Sequence, residues 1–165
     1  MRWAAVAVLL APAPDSLLLI RRAERAGDPW SGHMGLPGGR RDREDADLLA
    51  TALRETREEI GVHVAPESLL GALDDVAPRT PVLPPIAVRP FVFRLPERPP
   101  LSLNHEVHSA AWVELETLLH PETYRSTTIQ YRDTERVVQG YQLADALVWG
   151  MTERILYSLF ALLPG

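Results

Sequence analysis

Residues 23–44 constrain the fold more than any other part of this sequence. Glycine weakens helices and strands, and proline cannot donate the backbone hydrogen bond that both elements need. The segment is therefore predicted to be a structured loop between a strand over 17–22 and a helix over about 45–60. It contains five glycines and two prolines: Gly27, Gly32, Gly35, Gly38, Gly39, Pro29 and Pro37.

Apolar runs elsewhere predict strands and helices in mixed order. We expect a C-terminal helix over about 142–161, which Asp145, Glu153 and Arg154 make too polar for a membrane helix. Residues 3–13 resemble a short signal peptide, but a first strand is favoured. Strands precede, separate and follow the helices, so the fold class is α/β. The strand candidates are 3–10, 17–22, 69–76, 86–95 and 107–114, with a late hairpin of 124–131 and 136–142 turned by 132–135.

The helix over 45–60 has one apolar stripe and a clear end. Its stripe residues recur at spacings of three and four, which predicts one buried face. Gly61 is predicted to end the helix, because glycine readily adopts the left-handed conformation found there. The stripe residues are Leu49, Leu53, Thr56 and Ile60.

The same helix carries three carboxylates, Glu55, Glu58 and Glu59. Their spacing places them on one side, opposite the stripe, so we expect them to face outward together. Like charges four residues apart cost a helix about 0.2–0.5 kcal/mol per pair. The group is then either a solvated acidic face, relieved by Arg54 and Arg57, or a site for Mg²⁺. That ion prefers oxygen ligands and commonly bridges carboxylates to substrate phosphates.

The preceding loop favours the metal interpretation. The Leu-Pro-Gly-Gly sequence at 36–39 lets the backbone approach closely, and a glycine carbonyl there can point at a metal ion. Asp42 or Asp45 could hold Arg54 by a salt bridge. A glycine loop, a basic cluster and an acidic helix together predict a metal–pyrophosphate site. The basic cluster supplies guanidinium groups for phosphate oxygens, from Arg40, Arg41 and Arg43.

Residues 36–62 resemble the Nudix box. Its pattern is Gly, five residues, Glu, seven residues, Arg-Glu, an apolar residue, any residue, Glu-Glu, any residue, Gly and an apolar residue. The closing half matches residues 54–62, RETREEIGV, whereas Gly39 and Arg54 are one residue too far apart for the opening half. The resemblance implies an α/β/α sandwich around a mixed β-sheet, and a single Nudix domain over 1–165.

A variant of the box looks like the coenzyme A pyrophosphatase branch of that family. The form GG-x-x-D-x-x-D followed by TALRE-x-x-EEIG lies at 38–61, and residues 17–22 and 148–152 also resemble this branch. Leu36 stands where the branch usually has Phe, and residues 30–35 are less basic than its loop. The implied activity is Mg²⁺- or Mn²⁺-dependent hydrolysis of a nucleoside diphosphate linked to another moiety, with coenzyme A or a derivative favoured.

The resemblance also implies roles for individual residues. Arg54 belongs to the catalytic set, and Glu106, before a late strand, is a further metal ligand or the general base. Glu55 or Glu106 would take the proton from the attacking water. The metal-binding candidates are Gly38, Glu55, Glu58 and Glu59.

Substrate contacts are predicted from basic and aromatic residues around the loop. Trp30 either stacks on a nucleobase or packs, and Arg21 and Arg22 either touch phosphate or pair with acids. The full set of candidates is Arg21, Arg22, Trp30, Arg40 and Arg41. Two alternative functions stay open. One is hydrolysis of nucleoside triphosphates, dinucleoside polyphosphates, nucleotide sugars or capped RNA. The other, less favoured because all three helix glutamates are present, is a non-catalytic nucleotide-sensing module.

Composition excludes some classes of partner. The net charge is −5 and there is no Cys, so duplex DNA is not an expected partner and thiolate metal sites are excluded. The partner is expected to be a small nucleotide-type substrate in the cytoplasm, without a membrane. Apolar residues near the C-terminus are expected in the core or at a homodimer interface: Trp149, Leu156, Leu159 and Phe160.

Overall fold

The first apolar run forms the middle strand of a mixed sheet in the computed structural model, which describes residues 1–26, 32–79 and 84–164. Strand β1 (Arg2–Ala11) pairs in parallel with β6 (Ile86–Arg94). It pairs antiparallel with β2 (Ser16–Arg22) and with β4 (Gly38–Arg40). The remaining members of this sheet are β3 (Met34–Gly35), β5 (Leu69–Ala72) and β7 (Val107–Glu114).

Alternate residues of β1 face two separate cores, as a strand period of two requires. Ala5 and Leu9 pack toward helix α1 (Leu48–Ile60). Ala4 and Val8 pack toward helix α3 (Met151–Phe160) on the other face. The sheet therefore lies between helices, and the predicted α/β class with a mixed sheet in an α/β/α sandwich is confirmed. A short helix, α2 (Leu115–Leu119), follows β7.

Helix α1 begins later than predicted and its buried face is rotated. Asp47 caps the N-terminus by accepting from the Ala50 N–H at 2.8 Å, so residues 45–47 lie outside the helix. Gly61 ends the helix as predicted, with φ of 71°. Of the four predicted stripe residues, Thr56 and Ile60 are buried as predicted, whereas Leu49 and Leu53 are only partly buried at the edge of the core. The buried residues are Leu48, Thr51, Ala52, Thr56, Glu59 and Ile60.

A second sheet of three strands is built on the late hairpin. Strand β8 (Tyr124–Tyr131) pairs antiparallel with β9 (Thr134–Gln142), and β9 pairs with β10 (Leu147–Val148). The hairpin turns at Arg132 and Asp133, both with positive φ, as a two-residue turn with matching twist requires. The turn is therefore two residues shorter than predicted.

The C-terminal helix is also shorter than predicted. Val148 pairs with Tyr141 as extended chain, and Gly150, with φ of 73°, precedes the first helical residue. The prediction of helix from residue 142 is wrong, because pairing with β9 outweighs the local helical pattern in 142–148. In the three described ranges, every helix is too short or too polar to cross a membrane.

Candidate metal centre

Glu59 lies in the interior, with 1% of its surface exposed. One of its carboxylate oxygens accepts the Gly38 N–H at 2.7 Å. Burial raises the pKa of Glu59 to about 8, the Gly38 N–H opposes part of this rise, and the charges of Glu55 and Glu106 add to it. The prediction that all three helix glutamates face outward is wrong, because rotation of the stripe puts residue 59 on the buried face.

Glu55 is half-buried beneath the glycine loop. A Cβ added at Gly39 would lie 2.6 Å from the Glu55 carboxyl carbon, closer than real side chains approach. Glycine at 39 is therefore needed for the loop to pass over this carboxylate. Burial raises the pKa of Glu55, and the neighbouring Arg54 guanidinium opposes the rise.

Glu106 completes a group of three carboxylates. The loop before β7 is held against the end of α1, where the Asn104 N–H donates to the Glu59 carbonyl at 3.0 Å. The Asn104 side chain then accepts the Glu106 N–H at 2.9 Å. One carboxylate oxygen from each of Glu55, Glu59 and Glu106 lies within 4.8 Å of the other two. We call these three residues the carboxylate cluster.

Glu58 lies apart from the carboxylate cluster. Its side chain is 47% exposed and pairs with the Arg54 Nη1 at 3.1 Å. The structure therefore brings together two of the three predicted helix carboxylates, with Glu106 as the third member. The predicted role of Glu58 as a metal ligand stays a prediction.

Arg54 is fixed by Asp45, one of the two aspartates predicted as its partner. Its Nε and Nη2 donate to the two oxygens of Asp45 at 2.9 and 3.0 Å. Nη1 reaches Glu55 at 3.0 Å, and Nη2 also donates to the Arg40 carbonyl at 3.1 Å. This pairing holds the pKa of Asp45 well below its usual range and raises that of Arg54. Asp45 is thus the acid that orients Arg54 in this chain.

The predicted substrate-binding arginines occupy different environments. Arg21 donates to the backbone carbonyls of Gly32 and Asp145, both at 3.3 Å, and Arg41 donates to the carbonyls of Asp45 and Ala46. Arg40 is exposed at the end of β4. Contact with substrate stays a prediction for all of them.

Arg22 and Trp30 complete the predicted set. Arg22 is near enough to Glu59 for its charge to oppose part of the pKa rise that burial causes. Trp30 lies outside the described residues, so its stacking role stays a prediction.

The carboxylate cluster fits a divalent cation. Its donors are all carboxylate oxygens, the ligands that hard ions such as Mg²⁺ prefer. Opposite ligands of Mg²⁺ bound at about 2.1 Å lie about 4.2 Å apart, close to the size of the cluster. Placing carboxylates next to each other in the fold is unfavourable unless a proton or a cation neutralises them. A bound cation would therefore stabilise the folded protein at this point.

The comparisons with known proteins agree with this geometry. The family model described as NUDIX domain matches residues 1–131. The uncharacterized Nudix hydrolase NudL of Photorhabdus laumondii is 31% identical over 161 residues, which are 96% of this chain and 83% of NudL. The chain therefore belongs to the Nudix hydrolase family of pyrophosphohydrolases.

Matches to other proteins cover different shares of those proteins' chains. An uncharacterized protein of Schizosaccharomyces pombe is 41% identical over 130 residues, which are 76% of this chain but 39% of that protein. A MutT/nudix family protein from Enterococcus faecalis superposes with a TM-score of 0.71 at 21% identity, over 97% of this chain and 61% of its own. The NUDIX domain of Shewanella oneidensis NrtR, solved with ADP-ribose, has a TM-score of 0.58 at 22% identity. The match covers 71% of this chain and 75% of the NrtR chain. These two structures show the shared fold.

Proposed function

We propose that this protein is a divalent-cation-dependent pyrophosphohydrolase of a nucleoside diphosphate linked to another moiety, with coenzyme A or a derivative favoured. The observation that carries the proposal is the carboxylate cluster, with three oxygens mutually within 4.8 Å directly under the Gly38–Gly39 strand. A solvated acidic face would not bury Glu59 to 1% exposure. An oxygen cluster with one buried and two partly exposed carboxylates is the arrangement expected of a cation site next to a phosphate-binding loop.

Each residue has a defined task in this proposal. Glu55, Glu59 and Glu106 would hold the cation, with the Gly38 carbonyl as a further proposed ligand. Mg²⁺ or Mn²⁺, when bound, would neutralise phosphate oxygens and lower the pKa of the attacking water. Glu55 or Glu106 would accept the proton of that water, since both carboxylates are more accessible than Glu59. Arg54 is a positioning residue, because it is held by Asp45 and in turn holds Glu55.

The substrate preference is supported by the sequence of the site. Asp42 and Asp45 are the two aspartates of the variant box. The Asp45 carboxylate accepts the Asp42 backbone N–H and binds the Arg54 guanidinium. In this variant of the box, which resembles the coenzyme A pyrophosphatase branch, Asp45 is the residue that holds Arg54. The expected products are adenosine 3′,5′-bisphosphate and a 4′-phosphopantetheine compound.

A substrate panel tests the proposal. The full-length protein would be incubated with Mg²⁺ or Mn²⁺ and coenzyme A, a nucleoside triphosphate, a dinucleoside polyphosphate, ADP-ribose, a nucleotide sugar or capped RNA. Product masses would identify the cleaved bond, with Glu59→Gln as the inactive control. Turnover of another compound while coenzyme A stays intact would overturn the substrate preference. Tight nucleotide binding with no turnover of any compound would overturn the enzymatic assignment and favour the sensing module.

Three sequence predictions remain with this proposal: that residues 1–165 form one domain, that the protein is cytoplasmic, and that it forms a homodimer. Sedimentation of the purified chain would test the homodimer directly.

A further inference from the structure

Three aromatic rings from distant parts of the sequence meet beside β3. His33 precedes β3, Tyr131 ends β8 and Trp149 precedes α3. The ring centroids of Trp149 lie 5.2 Å from those of both His33 and Tyr131, and His33 and Tyr131 are 6.3 Å apart. All three side chains are partly exposed. We call these three residues the aromatic cluster.

Two arginines lie against the Tyr131 ring of this cluster. The guanidinium carbons of Arg132 and Arg136 lie 5.2 and 5.6 Å from the centroid of the Tyr131 ring. Both side chains are exposed, and neither forms an ion pair with any carboxylate in the described ranges of the chain. An arginine fork that is oriented by a ring and is not paired with an acid is well placed to bind a phosphate.

The aromatic cluster is connected to the carboxylate cluster through β2. The Arg22 N–H donates to the His33 carbonyl at 3.0 Å, and the next N–H, that of Ala23, donates to the Glu106 carbonyl at 2.9 Å. Two strand spacings therefore separate the backbones of His33 and Glu106, which is roughly 10 Å. That backbone separation is comparable to the length of a nucleoside, which agrees with one ligand contacting both clusters.

We propose that the aromatic cluster, together with Arg132 and Arg136, binds the nucleoside half of the substrate. A purine base would lie against the rings, and a phosphate ester on its ribose would pair with the two arginines. Aromatic side chains bind bases through stacking, with little dependence on sequence. Rings serving only to pack the hairpin against the loop would need neither partial exposure nor two arginines without acidic partners. This inference rests on the proposed pyrophosphohydrolase function and specifies which ligand that site prefers.

Two nucleotides that differ by one phosphate test the inference: 5′-AMP and adenosine 3′,5′-bisphosphate. Their dissociation constants would be measured by calorimetry on the full-length protein with Mg²⁺. We expect the bisphosphate to bind more tightly. Tyr131→Leu should weaken both ligands by about fivefold or more, whereas Tyr131→Phe, which keeps the ring, should bind both as the wild type does. Arg136→Gln should reduce the preference for the bisphosphate by about threefold.

A matched control removes a charge from the same hairpin. Arg125 is exposed on β8, at the end remote from the turn, and Arg125→Gln should leave both affinities unchanged. If Tyr131→Leu fails to fold, an NMR measurement on the wild-type protein still tests the inference. Addition of 5′-AMP should shift the NMR signals of the Tyr131 ring, assigned with Tyr131→Phe.

Specific results would overturn the inference. These are undetectable binding of 5′-AMP at millimolar concentration, equal affinities for the two nucleotides in the wild type, or unchanged affinities in Tyr131→Leu and Arg136→Gln. Metal-dependent turnover of the substrate panel is measured on the same preparations. If turnover persists and the nucleotide affinities are unchanged by these substitutions, only the proposed nucleoside-binding site is wrong. If the wild type cleaves no pyrophosphate, the proposed function fails first.

Discussion

The buried Glu59 carboxylate should make the metal-free protein less stable as the pH rises. Its pKa is about 8 in the fold, against 4.5 for an ordinary glutamate. Between these values the folded state binds a proton that the unfolded state has released, so unfolding becomes easier with increasing pH. The slope is roughly 1.4 kcal/mol per pH unit, and the loss is complete above about pH 8.

Glu59→Gln removes this titration while keeping an oxygen that can accept the Gly38 N–H. Between pH 5.5 and 7.5 the wild type should lose up to roughly 3 kcal/mol more stability than the variant. For a chain of this size that difference corresponds to about 5 °C or more in Tm. The assay is thermal unfolding in EDTA, followed by circular dichroism across the pH range.

Two comparisons make the result specific. Glu58→Gln removes a charge from an exposed position and should follow the wild-type pH profile. Mg²⁺ should raise the Tm of the wild type most at high pH, since the cation replaces the proton, and should raise that of Glu59→Gln far less. Parallel pH profiles for the wild type and Glu59→Gln in EDTA would refute the reasoning.

Three further substitutions test the surroundings of the site. Asp45→Asn should lower kcat at least about tenfold and the free energy of unfolding by about 2–4 kcal/mol, because it leaves the Arg54 guanidinium without its main partner. Activity assays measure the first effect and melting curves the second. Wild-type values for both would disprove the positioning role. Gly39→Ala should reduce activity strongly with a small change in Tm, since the new Cβ displaces the Glu55 carboxylate; full activity would show that this close approach is unimportant. Thr56→Val should raise the free energy of unfolding by about 1 kcal/mol in denaturant titrations, because the buried hydroxyl has no hydrogen-bond partner among the described residues; a destabilised variant would contradict this.

The sequence predicts the position of the candidate site along the chain better than it predicts which face of helix α1 is buried. The glycine loop and the spacing of Glu55, Glu58 and Glu59 were enough to locate a candidate metal site. The apolar stripe does not predict the burial of Glu59, because it includes Leu49 and Leu53, which lie at the edge of the face that the sheet covers. Helix periodicity alone tolerates such a rotation, and only packing against β1 and the Gly38 N–H fixes it.

Other features depend on contacts that no local pattern contains. The variant box offers both Asp42 and Asp45 as partners of Arg54, and only the folded geometry selects Asp45. The aromatic cluster could not have been predicted, since His33, Tyr131 and Trp149 are brought together by the pairing of the hairpin and the loop. The strand at Leu147–Val148 was missed for the same reason, because its partner strand decides its conformation.

Anomalous scattering from manganese tests the central claim most directly. Crystals of the full-length protein would be soaked with Mn²⁺ and a non-hydrolysable diphosphate analogue, and a difference map collected at the manganese edge. We expect a strong peak within coordination distance of carboxylate oxygens of Glu55, Glu59 and Glu106, and no peak there in Glu59→Gln crystals. An empty carboxylate cluster under these conditions, with the analogue bound elsewhere or not at all, would contradict it.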